Sequence, residues 1–247
     1  MKKFLALSLV LVLSLGVFCA CESETNTPVE ITAVETVATT IAVVEADYEE
    51  VYKDTLDSIY ELAVADKSGI HTADGQIGIM EVVGGLKGDE ALGKIGYTFM
   101  DLTGDGFSEL VIGYIPESGE ESYSILSAYT IAHDMPWLLI EGWARSSYYL
   151  LDDGTFFYMG SGGAAYSYIG NYRMSQGGTS LICNDYYFTE PDEKDASVTV
   201  IYHNTNGKPK ADRSERTDLE MSDFTEIRKD WESKRVSLEL KAFSEYK

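Results

Sequence analysis

Residues 97–114 read YTFMDLTGDGFSELVIGY, an acidic, glycine-containing loop between two runs of apolar and aromatic residues. From Tyr97 onward the chain keeps this texture, with short runs rich in Tyr, Phe, Ile and Val that are typical of strands. Candidate strands lie at residues 107–115, 123–131, 137–143, 147–151, 155–159, 166–174, 179–188 and 197–203. Because Asp153-Gly154, Gly177-Gly178 and Asn206-Gly207 suit tight hairpin turns, the sequence predicts an antiparallel meander.

Helical periodicity flanks this region on both sides. Asp47 can cap a helix start with Glu50 three residues later. Apolar residues then recur at helical spacing at Tyr48, Val51, Tyr52, Leu56, Ile59, Tyr60 and Ala63. Near the other end, Ser222 resembles a helix cap, followed by Phe224, Ile227 and Trp231 on one face.

Two weaker segments complete the assignment. Residues 77–90 are expected to form a second helix, although Gly84 and Gly85 weaken it, and residues 236–240 a last strand. The predicted fold class is α+β. A single domain over residues 47–247 would hold an antiparallel β meander, a propeller-blade-like sheet, with an N-terminal amphipathic helix and a C-terminal helix.

The loop at residues 101–109 has the spacing of a calcium site. Calcium takes six to eight oxygens, which a loop can supply from alternate positions when a glycine permits a sharp turn. Asp101, Thr103, Asp105 and Glu109 would supply side-chain oxygens, and Phe107 would supply its carbonyl, around the turn at Gly106. The alternative is a turn without metal, in which Asp101 and Asp105 accept hydrogen bonds from nearby backbone amides.

This loop resembles the calcium turn of FG-GAP and VCBS repeats, and its context over residues 77–175 resembles lipoproteins of Gram-positive bacteria whose function is uncharacterised. In those repeats the loop joins strands of propeller-like sheets. Two residues depart from the usual calcium-loop patterns: Thr103 stands where Asn or Asp is usual, and Ile112 where a helical EF-hand places a bidentate Glu. Because one copy is present, a single sheet buttressed by helices is favoured over a propeller.

The N-terminus has the three zones of a secretory signal: Lys2 and Lys3, an apolar run over residues 4–18, and small residues before a cysteine. That run is shorter than the roughly 20 residues a membrane span needs. Phe18-Cys19-Ala20-Cys21 resembles the lipobox of bacterial lipoproteins. The resemblance implies a signal peptide over residues 1–20, a lipid on Cys21 and a location on the outer face of the cell membrane; ordinary secretion is the alternative.

Residues 21–46 form the predicted linker, rich in Thr, Val, Glu and Ala. Alternating Val and Thr over residues 31–44 leaves a strand as the alternative. The formal net charge of −22, from 19 basic and 41 acidic residues, disfavours nucleic acid as a partner. With Cys19 removed and Cys21 acylated, Cys183 has no disulfide partner and is expected to be a buried small hydrophobe.

Motifs with the spacing of a zinc site, of a nucleophile elbow or of a phosphate-binding loop do not occur in the sequence. His71, His133 and His203 are scattered, and Gly160-Ser161-Gly162-Gly163 is expected to be a bend between strands. Eight aromatic residues crowd one region, namely Tyr148, Tyr149, Phe156, Phe157, Tyr158, Tyr166, Tyr168 and Tyr172. An exposed row of such rings could stack on a sugar or a peptide, while strand propensity alone also explains them.

These observations favour a surface-anchored, non-catalytic binding or interaction module, stiffened by calcium, with a glycan or peptide as its ligand. A hydrolase acting on cell-wall or dietary polymers is the alternative, because 41 acidic residues guarantee some carboxylate pairs. A structural or adhesive role is the third hypothesis.

Overall fold

Strands fill most of the chain between Ile95 and Arg216 in the computed structural model, which describes residues 46–65, 72–117 and 120–247. Their β-branched and aromatic residues suit a half-buried pleated surface. In chain order the strands are β1 Ile95–Met100, β2 Glu109–Tyr114, β3 Ser124–Ala132, β4 Met135–Glu141, β5 Ser146–Leu150, β6 Phe156–Gly163, β7 Tyr166–Met174, β8 Leu181–Pro191, β9 Thr199–Asn204, β10 Glu215–Arg216 and β11 Lys241–Ala242.

The strands form one antiparallel sheet in the order β10-β9-β8-β7-β6-β5-β3-β2-β1-β11, and β4 pairs with β3 beside that path. Because consecutive strands are neighbours from β5 to β10, the predicted α+β fold with an antiparallel meander is confirmed. Strand β3 pairs with β4 through residues 127–132 and with β5 through residues 124–125. Gly154 and Gly178 have φ angles of 79° and 66° at two of the predicted turns.

Among the described residues, four helices precede the sheet: α1 Tyr48–Val51, α2 Lys53–Val64, α3 Ile77–Val83 and α4 Gly88–Leu92. The segment predicted as one helix from Asp47 is thus divided at Tyr52, whose buried hydroxyl donates to the Ser108 carbonyl, 3.1 Å away. The segment predicted as one helix over residues 77–90 is also divided. Helix α3 stops before Gly84 and Gly85, because glycine is a poor helix former.

Helix α5 spans Met221–Ser233, and its N-cap lies two residues before the predicted cap at Ser222. Its N-cap is Glu220, which forms a reciprocal capping box with Asp223. The Glu220 amide donates to Asp223 Oδ2 at 2.8 Å. A glutamate at this position was not expected because Ser, Thr, Asp and Asn are the preferred N-caps. Short 3₁₀ helices lie at Ala211–Arg213 and Phe243–Glu245.

Both helix groups cover the same face of the sheet. On this face β1, β2 and β3 pack against α1 to α4 through a core that includes Tyr97, Ile112 and Leu126. Ser124 lies on the same face of β3 as Leu126, two residues later, and it pairs with Tyr149 of β5. Tyr149 packs in the core beneath α5, so this second core lies on the same face of the sheet as the first. Phe224 and Trp231 of α5 complete that second core.

The opposite face of the sheet is covered by the segment that follows α5, residues 236–240. Leu238 packs there, and its amide donates to the Ser122 carbonyl at 2.6 Å. Leu240 lies over Gly96 and Gly113, where an added Cβ would come within 2.9 Å and 2.7 Å of its side-chain atoms. The predicted strand over residues 236–240 is therefore wrong. This segment crosses the sheet face, and pairing with β1 begins only at Lys241.

Candidate functional site

The acidic loop predicted to bind calcium connects β1 to β2, whose ends pair at Met100 and Glu109. Asp101 is exposed, and its carboxylate accepts hydrogen bonds from the amides of Gly104 (2.7 Å), Asp105 (3.2 Å) and Gly106 (2.9 Å). These bonds hold the pKa of Asp101 below its ordinary value. Asp105 Oδ1 accepts from the Phe107 amide at 2.8 Å. These are the hydrogen bonds expected of the turn alternative.

Glu109 differs from the two aspartates because it is buried, with 1% of its surface exposed. Its Oε2 accepts from the Leu102 amide at 2.7 Å and its Oε1 from the Thr130 hydroxyl at 3.1 Å. Burial raises the pKa of Glu109, and the negative charges of Asp105 and Asp101 raise it further. The loop thus brings the three predicted carboxylates close enough to repel one another.

The contacts around the loop tie it to the helices. The Phe107 ring meets Tyr48 of α1 edge-on, with ring centroids 5.1 Å apart, and Ser108 accepts the hydrogen bond from Tyr52. Thr103 lies beside Gly178 in the β7–β8 turn, where an added Cβ would come within 2.9 Å of its methyl carbon. The loop therefore lies between α1, α2 and the β7–β8 hairpin.

A closed metal-ligand group is not formed by the loop side chains alone. Across residues 46–65, 72–117 and 120–247, no three or more His, Cys, Asp or Glu side chains are grouped to hold a metal ion. The negative charge of the loop nonetheless suits a cation. Among the described residues, no Lys, Arg or His forms an ion pair with Asp101, Asp105 or Glu109. Each carboxylate oxygen that accepts one hydrogen bond also keeps further acceptor capacity.

The crowded aromatic residues mostly pack against one another. Phe156 and Phe157 are fully buried on opposite faces, and Tyr166 is 39% exposed. Stacked, tilted or edge-on ring pairs link Tyr148, Tyr158, Tyr168, Tyr172 and Tyr186. An added Cβ at Gly160 would lie 2.3 Å from the Tyr158 hydroxyl, and one at Gly162 2.2 Å from that of Tyr168. The glycine-rich segment thus makes room for two tyrosine rings.

The other singled-out residues have structural surroundings. His133 and Asp134, with φ angles of 53° and 62°, form the two-residue turn between β3 and β4. His203 Nε2 lies 3.0 Å from Asp185 Oδ1, beside the Tyr187 ring. Cys183 is half-buried, and burial raises the pKa of its thiol to about 11. Cys21 and His71 lie outside the described residues.

Sequence analysis missed a groove on the helix-covered face. A cavity of about 270 Å³ lies beside α3 and is lined by residues that include Gly78, Val82, Leu126 and Trp143. A second cavity of about 240 Å³ lies beside α5, lined by residues that include Arg145, Ser161, Ser167, Phe224 and Arg228. Ala144 and Ser147 line both cavities, which therefore adjoin. We call the combined cavity the inter-helix groove.

The walls of this groove are held by hydrogen bonds to two glutamates. Glu81 Oε2 of α3 accepts from the Ala144 amide at 2.7 Å. Glu141 Oε1 accepts from the amides of Gly75 (2.7 Å) and Ile77 (3.1 Å), at the start of α3. These three bonds join α3 and the residues just before it to the end of β4 and the turn that follows, so the α3 wall of the groove is fixed in place.

Comparison with protein-family models, with curated proteins and with solved structures gives no match to this chain. Within the part of the chain that the structure describes, no helix is long and apolar enough to cross a membrane. The inter-helix groove and the acidic loop are therefore the features from which a function has to be argued.

Proposed function

We propose that this protein is an extracytoplasmic lipoprotein, anchored to the outer face of the cell membrane through Cys21, whose domain is a non-catalytic binding module. The observation that carries the proposal is the inter-helix groove. Two adjoining cavities of about 270 and 240 Å³ give a ligand an extended concave surface, and ligand sites are usually concave and largely pre-formed.

The arrangement of the domain supports binding at this place. Helix α3, which precedes β1, and helix α5, which follows β10, form the walls, so the sheet serves as a rigid floor in the manner of a propeller blade. Trp143, 36% exposed, offers an aromatic surface at the α3 side. Because hydrogen bonds to Glu81 and Glu141 fix the α3 wall before a ligand binds, little conformational freedom of this wall is lost on binding.

The hydrolase alternative has less support from the same groove. A glycosidase needs two carboxyl groups that face each other across the bond it cleaves. The residues that line the two cavities include one carboxylate, Glu81, and its Oε2 is engaged by the Ala144 amide. We therefore favour binding without turnover.

Calcium at residues 101–109 is the second part of the proposal, with a structural role. A bound cation would offset the repulsion among Asp101, Asp105 and Glu109, and Thr103 and the Phe107 carbonyl would supply further oxygens. Because the loop contacts Tyr48 and Tyr52, calcium would strengthen the docking of α1 and α2 on the sheet. Weak extracellular sites bind at about 10⁻⁴ to 10⁻³ M, so millimolar calcium would fill such a site.

A glycan and peptide array probed with the full chain tests the binding proposal. We expect a defined ligand class to be retained, and Trp143→Ala to weaken it. Trp137→Ala is the matched control, because Trp137 is 52% exposed on β4 and does not line either cavity. Release of a shortened product from a retained ligand would instead establish the hydrolase.

A further inference from the structure

The α5 side of the inter-helix groove concentrates positive charge in an acidic protein. Arg145 and Arg228 both line the 240 Å³ cavity, and its lining includes no Asp or Glu. The chain as a whole has 41 acidic residues against 19 basic ones. Among the described residues, the lining of this cavity thus has two arginines and no carboxylate, which suits an anion.

Arg145 is available to a ligand, whereas Arg228 forms an ion pair with Glu232 one turn along α5. Arg145 is exposed in the turn between β4 and β5, and its side chain has no ion-pair partner among the described residues. Arg228 Nε is buried without a hydrogen-bond partner in the same part of the chain. Its neighbour on α5, Glu232, approaches Nε only to 3.5 Å. Nε therefore faces Glu232, while the remainder of the guanidinium group, on a side chain that is 41% exposed, can donate to a ligand.

The position of the groove indicates how a ligand is recognised there. The cavity beside α5 lies across β6 and β7, each of which is paired with strands on both sides. Their backbone amides are engaged by the sheet ladder or, at Ser161 and Ser167, by the Arg145 carbonyl and the Thr189 hydroxyl, so they are not free to pair with the main chain of a peptide. Recognition therefore depends on side chains.

The side chains in question suit a sugar acid. Ser147, Ser161 and Ser167 line the cavity with hydroxyl groups, which can exchange hydrogen bonds with sugar hydroxyls. Trp143 borders the adjoining cavity, where its indole face can stack on a sugar ring. Arginine presents a planar fork of donors that matches the two oxygens of a carboxylate.

We infer that the inter-helix groove binds an acidic saccharide, an inference that rests on the proposed binding function. The carboxylate of a uronic acid unit would lie between Arg145 and Arg228, and a neighbouring sugar ring would lie against Trp143. The negative charge of the remaining surface does not prevent this, because charges farther away than about 8 Å are largely screened at physiological ionic strength.

The test is calorimetric titration of the full chain, in mild detergent, with a panel of uronic acid oligosaccharides and with their methyl esters, which lack the charge. We expect at least one acidic oligosaccharide to bind at least tenfold more tightly than its ester. Arg145→Gln and Arg228→Gln should each weaken binding by about 10- to 100-fold, the range for hydrogen bonds to charged groups.

Arg235→Gln is the matched control, because Arg235 lies over the rings of Tyr123 and Tyr149, 5.0 Å from each centroid, and does not line the cavity. It should bind like the wild type. Arg145 is exposed, so its substitution should leave the melting temperature unchanged and keeps the test valid even if Arg228→Gln disturbs α5.

Failure of this inference can be told apart from failure of the binding proposal. A neutral glycan that needs Trp143 but neither arginine would overturn the sugar-acid assignment and leave the module standing. A peptide with a free carboxyl terminus that binds through Arg145 would also overturn it. If no acidic oligosaccharide binds, the inference is wrong; if nothing on the glycan and peptide array binds either, both are wrong.

Discussion

Glu109 is a buried carboxylate with two hydrogen-bond donors, Leu102 and Thr130, and two negatively charged neighbours. Burial raises its pKa in the folded state, so the folded protein holds this proton more tightly than the unfolded chain does. The stability that this contributes is fully present below the unfolded pKa and is lost as pH rises through the folded pKa. Without calcium, ionised Glu109 therefore destabilises the fold at neutral pH.

Glu109→Gln should remove this penalty and keep the packing, because the amide can accept from Leu102 and donate to the Thr130 hydroxyl. In chelator at pH 7 we expect the melting temperature to rise by about 2–4 °C, which corresponds to roughly 1 kcal/mol in a domain of this size. The difference from the wild type should shrink as pH falls toward 4. A difference that is constant over pH would contradict the assignment to Glu109.

Calcium itself should stabilise the wild-type domain. At ten times its Kd a ligand adds about 1.4 kcal/mol to the native state, so the melting temperature should rise by about 3–6 °C. Magnesium should do less, because it parts reluctantly with water. Asp105→Ala should lose the shift. An equal calcium shift in Asp105→Ala and the wild type would show that the loop is a turn without metal.

Helix α3 forms one wall of the groove, and at Gly78 it lies close to the backbone of Gly142, just after β4. An added Cβ there would lie 1.9 Å from the Gly142 carbonyl oxygen, a backbone atom that cannot move aside alone. We expect Gly78→Ala to cost about 3 kcal/mol, or roughly 6–12 °C in melting temperature. Gly85→Ala is the control, because nothing lies within 4 Å of its added Cβ. Equal melting temperatures for the two variants would contradict this packing.

The elements differ in how far sequence could predict them. The meander was predictable because Asp153-Gly154 and Gly177-Gly178 mark hairpins and the runs between them favour strands. Strand β1 was missed, although Ile95, Tyr97 and Phe99 alternate as a half-buried strand should. The end of the chain was misassigned because Leu238 and Leu240 alternate like a strand, while the packing of Leu240 over Gly96 and Gly113 is a tertiary contact.

The groove could not be predicted because it, too, is formed by tertiary contacts. Its lining comes from α3, from the turn before β5 and from α5, which are far apart in sequence and share no motif. The acidic loop is a single local segment, so its turn and its clustered carboxylates were readable from spacing. The direction in which each carboxylate points depends on Thr130 and on backbone amides, which spacing does not reveal.

At the scale of the whole molecule, the proposal depends on the lipid on Cys21. We expect mass spectrometry of the mature N-terminal peptide to show diacylglyceryl-modified Cys21, because two acyl chains give a stable anchor where one gives a marginal one. Cys21→Ser should release the protein from the membrane fraction. A mature chain with unmodified Cys21, or one cleaved at another bond, would reject the anchor.

The central claim is that a ligand occupies the inter-helix groove and is not transformed there. Ser147 lines both cavities, so Ser147→Phe should fill the groove. The most direct measurement is the affinity of the full chain for the ligand that the array selects. It is measured for the wild type and for Ser147→Phe, once the two proteins are shown to have similar melting temperatures. We predict a loss of at least tenfold with the ligand recovered intact. Wild-type affinity in Ser147→Phe, or a cleaved ligand, would contradict the account.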